Sequence, residues 1–293
     1  MYRPELSHPM PYTLPNGLAV YRFGSGVPLL WIPYPHADEV IGDPSPTTLI
    51  RQLTALGREV ISFDPPGSGR SARTMELGMP EILACAKEAL EVCNIKDSVD
   101  VIGHSQGVIA ALAFTLENPS KVKRLVLIGG AAGGPSYFKA PGFIGNRSHP
   151  QFWQMAFWGI VYILSRRRAA EKLMCNVMFK ASFVDKRHFT PQQVSCKDWY
   201  LPARPRTWWS NVARHLDYRS RLVEIQPPTL VLVGRHDPQC PLACSEELAK
   251  GISKSALVIF EKSGHNPFME EPELFMKELK AFLEPSAQPY QMV

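Results

Sequence analysis

The stretch Gly103-His104-Ser105-Gln106-Gly107 constrains this chain more than any other. It follows the apolar run Val99–Ile102 directly and leads straight into an apolar helical pattern, Gln106–Glu117. A glycine–x–serine–x–glycine segment between a strand and a helix predicts a sharp, strained turn that lifts the serine hydroxyl off the end of a sheet. The glycines at 103 and 107 let the flanking backbones pass close. Such a turn belongs to alternating α/β architecture, so all-helical and all-strand folds are excluded if the segment is read this way.

The rest of the chain agrees. Short Val/Ile/Leu-rich runs recur at Leu18–Phe23, Pro28–Ile32, Glu59–Phe63, Val99–Ile102, Arg124–Ile128, Thr229–Val233 and Ala256–Phe260. Continuous apolar runs of this length predict strands covered on both faces. Helical patterns fall between them at Thr47–Leu56, Pro80–Cys93, Gln106–Glu117, Leu242–Gly251 and Glu273–Leu283, with Pro80 suited to a first helical turn. The expectation is a mostly parallel, doubly wound α/β sheet. Ligands bind such sheets beyond the carboxyl ends of the strands, so the chemistry should lie just after each strand. The tail from Pro285 is expected to be loose.

The sheet pattern breaks after Ile128 and resumes at Thr229. Composition shifts inside that gap. Residues 135–221 carry 15 Lys and Arg against four Asp and Glu, although the whole chain has a net charge of only +5. They also hold five of the six tryptophans. This predicts two units: a core of residues 1–134 and 222–293, and an inserted, mainly helical cap over 135–221. The remainder of the chain is net acidic, so nucleic acid is not an expected partner.

The six cysteines form no Cys-x-x-Cys pair, and no His/Asp/Glu cluster has metal-ligand spacing. Cys240 and Cys244 are expected to be small buried packers rather than a redox pair. Neither metal nor cofactor is expected. The start of the chain has no signal-peptide pattern, and no apolar run reaches the ~18 residues of a membrane span, so a cytoplasmic location is expected. Arg166-Arg167-Arg168 follows the apolar run Phe152–Leu164. A membrane-surface contact is one reading, and a packed helix with a solvated basic end is the favoured one. Oligomeric state is not legible.

Ser105 needs a base, because a neutral hydroxyl is a poor nucleophile. His265, in Ser-Gly-His-Asn-Pro-Phe, follows the strand Ala256–Phe260. The base in turn needs an acid that fixes its tautomer, and Asp237, in Gly-Arg-His-Asp-Pro, follows Thr229–Val233. His104 and His236 read as packed or hydrogen-bonded neighbours, with His104 also a candidate for the pocket. Asp64 reads as the organiser of its own turn.

With these residues in hand, the chain resembles the α/β-hydrolase fold superfamily from Leu18 to about Leu283. The order Ser105, Asp237, His265 is the one that fold uses. The segment Phe63-Asp64-Pro65-Pro66-Gly67-Ser68-Gly69-Arg70-Ser71 looks like the family's turn after the fourth strand. The wording is most similar to the proline-iminopeptidase-like and small-ester-hydrolase branches. The resemblance implies a Ser105–His265–Asp237 serine hydrolase that cleaves carboxylic esters through an acyl-enzyme. A prolyl aminopeptidase with the same triad is the alternative, and a non-catalytic ligand-binding homologue a third reading. It also implies an oxyanion hole with the Gln106 N–H as first donor. The second should come from the loop after the third strand, where Pro35 stands at the usual donor position and has no N–H. Three outcomes are open: a re-registered loop using the Tyr34 or His36 amide, which is favoured; the Tyr34 hydroxyl; or a weakened site.

A cap covers the site in this family, so Trp153, Phe157, Trp158, Trp199, Trp208 and Trp209 are candidates for the wall of a pocket for a small ester or aminoacyl substrate. The cap's four carboxylates (Glu171, Asp185, Asp198, Asp217) stand among many cations. An ester or an anionic substrate suits that field better than a free amine, unless two of the four converge on the pocket.

Overall fold

The structure, a computed structural model, describes residues 12–33, 47–72, 76–165, 168–189 and 215–284. Eight strands form one sheet: β1 (Tyr12–Thr13), β2 (Ala19–Phe23), β3 (Val27–Trp31), β4 (Arg58–Phe63), β5 (Val99–His104), β6 (Val122–Ile128), β7 (Thr229–Gly234) and β8 (Ser255–Phe260). Their spatial order is β1-β2-β4-β3-β5-β6-β7-β8. From β4 to β8 all neighbours run parallel, and only the β1–β2 and β2–β4 pairs are antiparallel. All seven strand-like runs of the sequence are strands. The two-residue edge strand β1 is an addition, too short to carry a period.

The helices between the strands are α1 (Thr48–Ala55), α2 (Met79–Val92) and α3 (Gly107–Glu117), then α4 (Gly134–Phe138), α5 (Phe152–Ser165) and α6 (Arg168–Ala181). After β7 come α7 (Leu242–Gly251), α8 (Pro267–Glu270) and α9 (Pro272–Leu283). Side chains alternate across each strand, and both faces are buried. Leu30, Ile61, Val101 and Leu127 pack with α2, α3 and α7 on one face. Leu29, Val60, Ile102 and Val126 pack with α1 and α9 on the other. Helices on both faces leave the carboxyl ends of the strands as the open edge.

At the opposite edge the sheet holds a buried charge cluster. Asp100, 1% exposed, accepts from Arg58 Nη1 at 2.7 Å and from Arg124 Nε at 2.7 Å. The same guanidiniums donate to the carbonyls of Leu283 and Phe282, tying the end of α9 under the sheet.

Between β6 and β7 the chain departs from the sheet and returns at one point. Gly133 and Asp217 form an isolated antiparallel bridge, Gly134 N–H donates to Leu216 O at 3.0 Å, and Tyr218 N–H to Ala132 O at 2.9 Å. A side chain at 133 would lie 2.1 Å from the Leu216 carbonyl, so glycine permits this neck.

The insert departs from one expectation. Trp153 and Phe157, expected to wall the pocket, are 65% and 58% exposed on α5, in line with exposed Ile160 and Leu164. These positions recur every three or four residues, so they share one face of the helix, and that face is turned to solvent. Trp158 is half-buried. Trp199, Trp208 and Trp209 lie outside the described residues.

Candidate active site

The parallel register sets His104, Ile128 and Leu232 abreast, so β5 and β6 end in line and β7 runs two residues further, to Gly234. Ser105 is the first residue beyond β5. Its φ is +55°, one of two positive values among non-glycine residues described. A left-handed serine costs about 1–3 kcal/mol, and the surrounding contacts hold it there. Its N–H donates to Ile128 O at 2.8 Å, anchoring the turn to the neighbouring strand. A Cβ on Gly103 would meet Gly107 O at 2.6 Å, and one on Gly107 would meet Ile32 O at 2.8 Å. Both glycines are therefore required by close backbone approach. Ser105 is half-buried.

Asp237 and His265 sit beyond β7 and β8, both buried. His265 Nδ1 lies 2.7 Å from Asp237 Oδ2. The other oxygen, Asp237 Oδ1, accepts from the backbone N–H groups of Gln239 at 2.8 Å and Cys240 at 2.9 Å. An aspartate whose oxygens are all used holds one orientation, and its Oδ2 favours the tautomer with the proton on Nδ1. That leaves His265 Nε2 as a proton acceptor. Gly129, with φ of +49°, passes beneath this pair, where a Cβ would lie 3.2 Å from Asp237 Oδ2.

His104 supports the pair rather than standing apart from it. Its Nε2 lies 3.3 Å from His265 O, its ring centre 5.0 Å from that of His265, and it meets Phe268 edge-on at 5.3 Å. His236 differs from expectation: its side chain is exposed, and its backbone N–H donates to Ser263 O at 3.0 Å. Gln106 follows Ser105 with helical backbone angles, and among the described residues no acceptor takes its N–H. Tyr34 and His36 lie outside the described residues.

Asp64 organises its turn, as read from the sequence. Its Oδ2 accepts from Tyr21 Oη at 2.6 Å and from Arg70 N–H at 2.7 Å, and its carbonyl accepts from Ser71 Oγ at 2.7 Å. Gly69, at φ of +53°, leaves room for the carboxylate. Of the insert's four acidic residues, Asp217 is paired with Arg219 and Asp185 with Arg187. The Arg187 hydrogen bond pulls the Asp185 carboxyl down to about 2. Asp198 and the side chain of Glu171 lie outside the described residues. Among the described residues no group of three or more His, Cys, Asp or Glu could hold a metal ion, and no helix is long and apolar enough to cross a membrane.

Cys85, Cys93, Cys240 and Cys244 are buried free thiols. Burial pushes Cys85 and Cys244 up to about 12 and Cys93 to about 11, and raises Cys240 beside Asp237 as well. Since the thiolate is the reactive form, these four should resist iodoacetamide at pH 8 in the native protein. Peptide mapping before and after guanidinium unfolding checks this. Alkylation of Cys240 or Cys244 in the native state would show that the Asp237 loop opens.

A buried Asp–His pair and a strained serine, gathered at the carboxyl edge of a parallel sheet in this strand order, define a hydrolase framework. The chain belongs to the alpha/beta hydrolase fold family, whose model matches residues 42–272. It is 32% identical, over 80% of its length and 79% of the relative's, to a 2-hydroxy-6-oxononadienedioate/2-hydroxy-6-oxononatrienedioate hydrolase of Cupriavidus pinatubonensis. An Escherichia coli K12 hydrolase of the same name is 29% identical over 80% of this chain and 79% of its own. Among solved structures, an alpha/beta fold family hydrolase from Bacillus anthracis superposes with a TM-score of 0.77 at 22% identity, covering 92% of this chain and 96% of that one. Both of these curated relatives are named for 2-hydroxy-6-oxononadienedioate/2-hydroxy-6-oxononatrienedioate hydrolysis rather than for ester or aminoacyl hydrolysis.

Proposed function

We propose that this hydrolase cuts a carbon–carbon bond beside a ketone in an anionic, enolisable substrate, using Ser105, His265 and Asp237. The relatives' substrate name describes a nine-carbon chain with two carboxylates, a 2-hydroxyl on a diene and a 6-oxo group. It contains no ester or amide bond, so hydrolysis at the ketone breaks a carbon–carbon bond, and of the two beside carbon 6 only the bond to carbon 5 releases an electron pair that conjugation with the carbon-2 oxygen can stabilise. The observation that carries the choice is charge. Residues 135–221 hold 15 cations against four anions, and both acidic side chains described there are tied to arginines. That field attracts a dianion and leaves no described carboxylate free for a substrate amine.

In this reading the 2-hydroxyl proton first moves to carbon 5, making carbon 2 a ketone conjugated with the remaining double bond. Ser105 Oγ adds to carbon 6 while His265 Nε2 takes its proton, and Asp237 stabilises the imidazolium. The bond between carbons 5 and 6 then breaks. Its electron pair passes through the double bond to the carbon-2 oxygen, which takes up a proton. The acyl group left on Ser105 is released by water that His265 activates, giving a carboxylate. The Gln106 N–H faces the oxyanion, and the second donor falls to the loop holding Tyr34 and His36. No step calls for a metal or a cofactor.

The test is a direct competition. The purified protein is given 2-hydroxy-6-oxononadienedioate, p-nitrophenyl butyrate and proline β-naphthylamide, with loss of the conjugated chromophore followed for the first. Cleavage of the dienedioate with kcat/KM at least about tenfold above either other substrate is expected, a difference of about 1.4 kcal/mol in transition-state binding. Faster turnover of the ester would return the site to simple ester hydrolysis.

A further inference from the structure

Two residues that the triad does not use connect the insert to the base. The backbone N–H of His265 donates to the carbonyl of Ser182, one residue past the end of α6, at 2.7 Å. Gly264, just before the base, packs so close that a Cβ there would lie 2.1 Å from the same carbonyl. Glu270, at the end of α8, spans the same junction with both oxygens. Its Oε2 accepts from Gly264 N–H at 2.7 Å, and its Oε1 from Val184 N–H at 2.7 Å and Asp185 N–H at 3.3 Å. Ser182 Oγ accepts from Gln239 Nε2 at 2.7 Å, and Gln239 N–H is itself held by Asp237. The segment 182–185 of the insert therefore touches both the loop of the base and the loop of the acid, and the acid loop is met a second time where Ile144 N–H donates to Pro238 O at 2.7 Å.

Such a junction is costly to build without a purpose. Burial raises the pKa of Glu270, opposed by the backbone N–H groups it receives. A half-buried carboxylate is kept where backbone donors from two separate segments need one common acceptor.

We propose that Glu270 is a positioning residue that sets His265 by clamping the end of α6 to the base loop, so that the seating of the insert is read out at the base. The proposal rests on the triad assignment above but not on the choice of substrate. A displacement of about 1 Å at a catalytic group costs on the order of 10²-fold in rate, so a loosened strut should act on turnover rather than on binding.

Glu270→Ala removes the acceptor for both segments. Glu270→Gln keeps one oxygen, which can serve one segment at a time. Gly264→Ala leaves Glu270 intact and instead forces Ser182 and the base loop apart. Each full-length variant is assayed for kcat, KM, fluorophosphonate labelling of Ser105, and the low-field proton resonance of the His265–Asp237 hydrogen bond. Labelling of the unaltered protein tests the triad assignment alone, and the variant-to-parent ratios test the strut. We expect kcat and labelling to fall roughly 10- to 100-fold in Glu270→Ala and in Gly264→Ala. Glu270→Gln should be intermediate, KM within about twofold of the parent, and the low-field resonance shifted in all three. If Glu270→Ala does not fold, the other two carry the test. The proposal is overturned if the folded variants keep kcat within about twofold, or if they lose thermal stability while the resonance stays unmoved.

Discussion

Replacing Asp237 with Asn is expected to lower kcat about 10⁴-fold while leaving the fold intact. The reason lies in how the two carboxylate oxygens are used. Oδ1 accepts two backbone N–H groups, so the carbonyl oxygen of an asparagine would take that position. The amide NH2 would then face His265 Nδ1, which lies 2.7 Å from Oδ2 in the parent protein. A donor there forces the proton onto Nε2, and the imidazole can no longer take one from Ser105. Steady-state rates on whichever substrate the competition selects, with circular dichroism to confirm folding, decide the matter. A loss below tenfold would mean that His265 does not depend on Asp237, and the triad assignment would fail with it.

The second large effect concerns stability. Asp100→Ala should destabilise the protein by about 3–5 kcal/mol in guanidinium denaturation. Removing this one anion leaves two guanidiniums inside, Arg58 at 4% and Arg124 at 14% side-chain exposure. Burial already pulls Arg58 below its ordinary value, with Asp100 opposing that shift. The cluster lies at the amino-terminal edge of the strands, away from Ser105, so kcat of the folded fraction should stay within about twofold. A loss of less than about 1 kcal/mol would show that water reaches the cluster and screens it.

The strands were legible because each is a continuous apolar run, and burial on both faces demands that composition. Ser105, Asp237 and His265 were legible because each follows such a run within a few residues. Other features were not. β1 spans only Tyr12–Thr13, so no period exists to read. Trp153 and Phe157 read as pocket wall because a cap covers the site in the family the chain resembles, yet sequence alone does not say which face of α5 is turned inward. Ser182 gave no signal at all, since its part is played by a backbone carbonyl. Glu270 lies just before the helical pattern that begins at Glu273, where nothing in the sequence sets it apart from the neighbouring Glu271. Contacts across 86 residues of chain, such as that of Val184 with Glu270, leave no local pattern.

The neck at Gly133 and Asp217 bears on how such proteins can be recombined. Among the described residues the chain leaves and rejoins the sheet at one bridged pair, so its span there does not depend on how much chain lies between them. Closing a longer or shorter excursion changes the entropy only logarithmically, about 0.6 kcal/mol per doubling. By that measure the insert is an exchangeable module. The base loop is less permissive than the sheet. A foreign insert grafted at 133 and 217 would have to bring its own carbonyl for the His265 N–H, its own pair of N–H groups for Glu270 and its own donor for the Pro238 carbonyl beside Asp237. Graft libraries should therefore yield many folded chimaeras and few active ones, with the active ones sharing a chain turn that reaches residues 264 to 270.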